Sequence, residues 1–217
     1  MKKINIAIFI VLAASVLTLF IISVFFHFYT YNTDGGVVQN WSVNESVIFL
    51  GTARVISLIS GCLILLCLIL FLINQDKSAR KQNVSGVLFT ALGAFTIIGS
   101  LNFFYPCTDV VKPSNMPMHC YWTMKVLLSL AGAIGVSGVL MLLFSKSKDF
   151  VNGLNAAVFI FSFLYVFAPT RLTDGFCSMI MACTERYRPF AFLMGCLILV
   201  LSAVNGFLLF KNSKRQS

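Results

Sequence analysis

Residues 48–73 read IFLGTARVISLISGCLILLCLILFLI, twenty-six positions carrying one charge, Arg54. A helix of about 20 apolar residues crosses the roughly 30 Å hydrocarbon layer of a bilayer. No water is present there to satisfy backbone N–H and C=O groups, so a spanning segment of this kind is helical. The whole chain shares this character. Of 217 residues, 59% are hydrophobic and 11% charged, and the mean hydropathy is +0.91. Soluble domains carry about 25% charged residues, so the bilayer is the expected solvent.

Six segments meet the same test: Ile4–Phe26, Ile48–Ile73, Val84–Phe104, Trp122–Phe144, Val151–Pro169 and Pro189–Phe210. The first follows Lys2 and Lys3 as a signal peptide would, but its 23 residues exceed an h-region of about 7–15. It is expected to remain as a span. The fifth is the shortest, with Asn152 and Asn155 near its start.

The net charge of +9 is distributed in short clusters between apolar runs. That pattern orients membrane proteins and is not that of a nucleic-acid interface. One side collects Lys2, Lys3, Lys77, Arg80, Lys81, Lys146, Lys148, Lys211, Lys214 and Arg215. The other holds Lys112, Arg171, Arg186 and Arg188, with Asp34, Glu45, Asp109, Asp174 and Glu185. The first side is expected to be cytoplasmic, with both termini inside. Trp122 and Tyr121 then fall at the outer interface, where amphipathic rings favour the headgroup layer.

A repeat is visible in GTARVISLISGC (51–62), WTMKVLLSLAGA (122–133) and CTERYRPFAFLMGC (183–196). Each has a threonine followed two residues later by a base: Thr52 and Arg54, Thr123 and Lys125, Thr184 and Arg186. Each then reaches a glycine: Gly61, Gly132, Gly195. Three in–out–in hairpins are expected, 1–76, 77–148 and 149–217, with 77–217 as a four-helix unit. The three bases belong at the outer interface, apolar stem in hydrocarbon and charged head outward. Arg54 lies deepest, so it either snorkels or meets an anionic group, with Glu45 nearest in sequence. Gly86, Gly93, Ala94 and Gly99 in the third span face a tight partner, and Ala131, Gly132, Gly135 and Gly138 suit the fourth, because small residues let membrane helices approach closely.

Of seven cysteines, Cys62, Cys67 and Cys196 lie within spans and read as buried small hydrophobes. Cys107, Cys120, Cys177 and Cys183 fall two in each of two outer loops. An oxidising exterior favours disulfides. Of the three connectivities, Cys107–Cys120 and Cys177–Cys183 each close a loop within one hairpin and are the expectation. Two other chemistries are open. A cysteine pair in each outer loop of a four-helix unit resembles quinone-linked membrane disulfide oxidases, with Arg171 or Arg186 toward the quinone, although neither pair is C-x-x-C. MPMHC (116–120) and MIMAC (179–183) share Met-x-Met-x-Cys, and Met116, Met118, His119, Cys120, Met179, Met181 and Cys183 are soft and imidazole ligands suited to Cu(I) if the thiols are reduced.

Cys107, Met118, Cys120, Trp122 and Thr123, followed by Cys177, Met179, Met181 and Cys183, resemble the outer-loop signature of a small bacterial membrane family of unknown function. The similarity covers Val84 to Phe210. It implies a companion of ABC-type transporters, and hence an accessory subunit. A substrate-capturing six-helix component of vitamin-uptake systems is a variant with similar size and charge.

NWS (40–42) and NES (44–46) fit glycosylation acceptors on the outer side. His27 reads as an interfacial ring, and the basic clusters as partners of anionic lipid. The expectation is therefore an all-α polytopic protein of the cell membrane, non-enzymatic, with the bilayer and ABC transporter subunits as partners. No resident cofactor is expected; copper or quinone belongs only to the two alternative chemistries.

Overall fold

Helices form wherever the chain is apolar enough to leave water. The computed structural model describes the backbone over residues 2–25, 41–73, 77–104, 110–111, 116–117, 119–169 and 183–214, and side chains over 6–22, 54–73, 83–104, 122–169, 185–209 and 211. Six long helices lie among the described residues: α1 (Lys2–Phe25), α2 (Trp41–Ile73), α3 (Lys77–Asn102), α4 (His119–Leu143), α5 (Lys148–Phe167) and α6 (Arg188–Lys214). Between α3 and α4, β1 (Val110–Val111) pairs antiparallel with β2 (Met116–Pro117). Pro169 follows α5, and Pro189 is the second residue of α6, just past a π-helical turn.

Arg54–Ile73, Asn83–Asn102, Trp122–Leu143, Lys148–Phe167 and Glu185–Leu209 are each long and apolar enough to cross a bilayer. In α1 the described apolar stretch, Ile6–Ile22, is shorter, within a helix of 24 residues. This is a membrane protein by length and composition. Several helices extend past the expected spans. α2 begins at Trp41, so Asn44, Glu45 and Ser46 belong to its first turns rather than to a loop. α3 begins at Lys77 and α4 at His119. Hydropathy marks only the hydrocarbon layer, whereas a helix continues through the headgroup layer, roughly 5–7 Å per leaflet, because its amides are already paired.

α3 and α4 form the centre, with 56% and 61% of their spanning residues buried, against 33%, 28% and 22% for the spans of α2, α5 and α6. Their mutual interface is the most extensive in the protein. α1 packs on α2 and α4, α5 on α4 and α6, and α2 on α3, while α6 also reaches α3. One apolar cluster joins α1 to α4 through Leu12, Leu19, Ile97, Leu127 and Leu128. A second joins α3 to α6 through Phe89, Ile134, Val158 and Ile198.

Glycines set the closeness of the central pair. A Cβ at Gly93 would lie 2.6 Å from the Gly135 amide nitrogen and 2.8 Å from the Ala131 carbonyl. One at Gly138 would lie 2.5 Å from the Thr90 backbone nitrogen, and one at Gly86 3.0 Å from the Gly138 carbonyl. Backbones at this separation gain dispersion contacts that lipid cannot supply. Of the repeat glycines, Gly61 faces Ile98 of α3 and Gly195 faces Tyr165 of α5. Four buried hydroxyls are satisfied within their own helices: Thr90, Thr96, Ser137 and Ser162 donate to carbonyls four residues back.

Candidate functional site

The end of the bundle from which both cysteine-bearing loops depart gathers polar and aromatic side chains from α2 to α6. It begins with an unsatisfied helix terminus. The last carbonyls of a helix have no intrahelical partner. At the end of α3, Phe103 and Phe104 both donate their backbone N–H to the Gly99 carbonyl, at 3.0 and 2.9 Å. The Leu101 carbonyl accepts a 3.0 Å hydrogen bond from Nε of Arg54 on α2. A cation at a helix C-terminus also complements its dipole. Asn102 Nδ2 donates to Ser57 Oγ and to the Ile98 carbonyl, both at 3.0 Å, and Ser57 donates to the Arg54 carbonyl at 2.8 Å. The guanidinium is half-buried and has a partner inside the protein, the α3 terminus.

Deeper lie three hydroxyls. Ser100 of α3, Tyr165 in the last turns of α5 and Tyr187 just before α6 are 0%, 1% and 0% exposed. Ser100 donates to the Thr96 carbonyl at 2.8 Å and lies against the Tyr187 hydroxyl. Tyr165 faces Tyr187 as well, but its own hydroxyl completes no hydrogen bond of ordinary geometry within the described residues. Both ends of the second loop pass through π-helical turns, at Ala168–Pro169 and Cys183–Tyr187. Such turns carry an extra residue per turn and recur at functional sites. Here they set Tyr165 and Tyr187 against each other.

An aromatic layer adjoins the hydroxyls. Phe190 of α6 stacks on Phe104, with centroids 4.4 Å apart and planes at 14°, and meets Phe95 at 6.3 Å. Gly99 makes room for it, since a Cβ there would sit 2.6 Å from Phe190 Cζ. Trp122 is exposed beside the half-buried Lys125, and Arg186 is exposed.

The expected disulfide and copper ligands are only partly within reach. Cys107, Met118, Cys177, Met179 and Met181 lie outside the described residues. Met116 falls on β2, His119 and Cys120 open α4, and Cys183 opens the turn before α6, each with backbone alone described. Cys67 is buried, Cys196 half-buried and Cys62 exposed along the spans, and all three are free.

Sequence reasoning had no signal for Ser100, Tyr165 or Tyr187 beyond their being polar atoms in apolar helices. The Arg54 partner was equally hidden, since Leu101 offers only a main-chain carbonyl.

Fold and site together define a helical polytopic membrane protein with buried hydroxyls and an aromatic stack where the helices lead into two loops. The chain belongs to the family described as Domain of unknown function (DUF4418), which matches residues 89–208. That range contains both loops and the platform, and leaves α1 and α2 outside. No curated protein and no solved structure matches the chain.

Proposed function

We propose that the protein is a non-enzymatic subunit of the cell membrane that acts beside a transporter, ABC-type by resemblance, as an accessory or binding component. Its six spans form three in–out–in hairpins with both termini cytoplasmic, and its two outer loops are stapled by Cys107–Cys120 and Cys177–Cys183. One observation carries the reading. The helix ends that lead into both loops converge on a single platform, where α3 supplies buried Ser100 and the turn just past it half-buried Phe104, α5 supplies buried Tyr165, and the entry to α6 supplies buried Tyr187 and half-buried Phe190. Such a platform fixes the separation of the helix ends that lead into the two loops, as a recognition surface requires. The glycine contacts of α3 with α4 support it by making the frame stiff.

The test is purification of the full chain in mild detergent from its native membrane. Copurification of ATPase subunits supports the proposal. Recovery without any transporter component, under conditions that preserve known transporter assemblies, overturns the accessory role. Mass spectrometry of alkylated protein with and without reductant tests the staples. Four free thiols in aerobically purified protein would refute them and direct attention to copper.

A further inference from the structure

On the opposite end of the α5–α6 hairpin, a groove of about 540 Å³ opens toward the lipid between the two helices. We infer that it binds one anionic phospholipid, with the headgroup at Lys148 and an acyl chain along the groove. The walls divide by depth. Phe159, Ile160 and Ala203 are apolar, and Asn152, Asn155 and Gly206 lie nearer the helix ends. Gly206 keeps the floor open, because a Cβ there would stand 3.0 Å from Asn155 Nδ2.

The polar floor is ordered. Asn155, 5% exposed, donates through Nδ2 to the Ser202 carbonyl at 3.1 Å and accepts at Oδ1 from Asn205 Nδ2 at 2.7 Å. Lys148, Asn152, Asn155 and Phe159 share one face of α5, at spacings of four, three and four. The rise of a helix places Asn152 about 6 Å and Asn155 about 10 Å below Lys148. The headgroup layer is roughly 5–7 Å thick. A phosphate level with Lys148 therefore sets the lipid's ester carbonyls, which only accept hydrogen bonds, against the exposed Asn152 amide. The chain beyond them enters the apolar part of the groove.

Charge selects the headgroup. Lys146 and Lys148 are exposed at this end, and Lys148 lies on the groove face of α5, whereas Lys211, two residues past Leu209, is turned to the other side of α6. The one described carboxylate here, Asp149, is also exposed and offsets a single lysine. A zwitterionic lipid fills the groove equally well but gains nothing from the net positive charge.

The experiment is native mass spectrometry of the full chain in detergent, with phosphatidylglycerol or phosphatidylcholine added at equal concentration. One phosphatidylglycerol is expected to be retained, with an advantage over phosphatidylcholine of about fivefold for each lysine engaged. The exposed variant Lys148→Gln should remove that advantage, and Lys211→Gln, on the other side of α6, should leave it. Ala203→Phe, which fills the groove from its exposed side, should reduce retention of both lipids. Arg188→Gln, at the far end of α6, should change neither. Equal retention of the two lipids by the unmodified protein overturns the inference. So does full phosphatidylglycerol retention by Ala203→Phe, or an equal loss in Arg188→Gln. A dimer that excludes lipid and is broken by Ala203→Phe would show that a second copy fills the groove instead, and also overturns it.

Discussion

Gly93 of α3 and Gly135 of α4 meet backbone to backbone, yet their tolerances are opposite. A Cβ on Gly93 would lie 2.6 Å from the Gly135 nitrogen and 2.7 Å from its Cα. A Cβ on Gly135 would meet Val16 Cγ1 at 3.6 Å and Gly93 Cα at 3.8 Å, ordinary van der Waals contacts. The two Cβ directions differ although the residues touch.

Gly93→Ala must therefore push the helices apart, because a main-chain atom cannot yield as a side-chain tip can. Overpacking of this kind costs about 1–3 kcal/mol. Gly135→Ala should be neutral or slightly stabilising, since alanine favours the helix by up to about 1 kcal/mol over glycine. Thermal unfolding in detergent, followed by circular dichroism, measures both. Equal losses for the two variants would refute the asymmetry.

Arg54 ties α2 to the C-terminus of α3 through the Leu101 carbonyl. Arg54→Ala should destabilise the bundle by about 1 kcal/mol, because a charged hydrogen bond is lost but the group is half-exposed and partly screened. Arg54→Lys should recover only part of this, since an ammonium cannot reproduce the Nε direction. Denaturant titration of the three proteins gives the order.

Among the described residues, the buried Tyr165 hydroxyl completes no hydrogen bond of ordinary geometry. A buried hydroxyl without a partner costs about 1–3 kcal/mol, so Tyr165→Phe should be neutral or raise the melting temperature. The ring still fills the space against Gly195. A clear fall in melting temperature would mean that an ordered water or another group completes the hydroxyl.

Asn155 is a hub, bonded to Asn205 and to the Ser202 carbonyl. Side-chain hydrogen bonds between membrane helices average about 0.6 kcal/mol and reach about 1.7. Asn155→Ala should lose about 1 kcal/mol, and the double-mutant cycle with Asn205→Ala should give a coupling of roughly 0.6 kcal/mol. Additive effects would mean that the pair does not interact in the membrane.

The lipid environment, the helical class and the approximate spans are legible from residues 48–73 and their counterparts because hydropathy is a local property. Helix ends were less legible: α2 continues upstream to Trp41 through Glu45, which no apolar count would include. The glycines of the third and fourth spans indicated a close contact, and α3 and α4 make it. Which glycine of a touching pair tolerates a methyl depends on helix rotation, which composition does not encode.

Sequence alone determined that this protein lives in a bilayer as helices, since each apolar run must close its own hydrogen bonds in hydrocarbon. Tertiary structure decided the partners. Arg54 meets Leu101 across 47 positions, Asn155 meets Asn205 across 50, and Tyr165 meets Tyr187 across a loop. Those contacts depend on how helices turn toward one another, and in a uniformly apolar helix almost every rotation satisfies the lipid equally well.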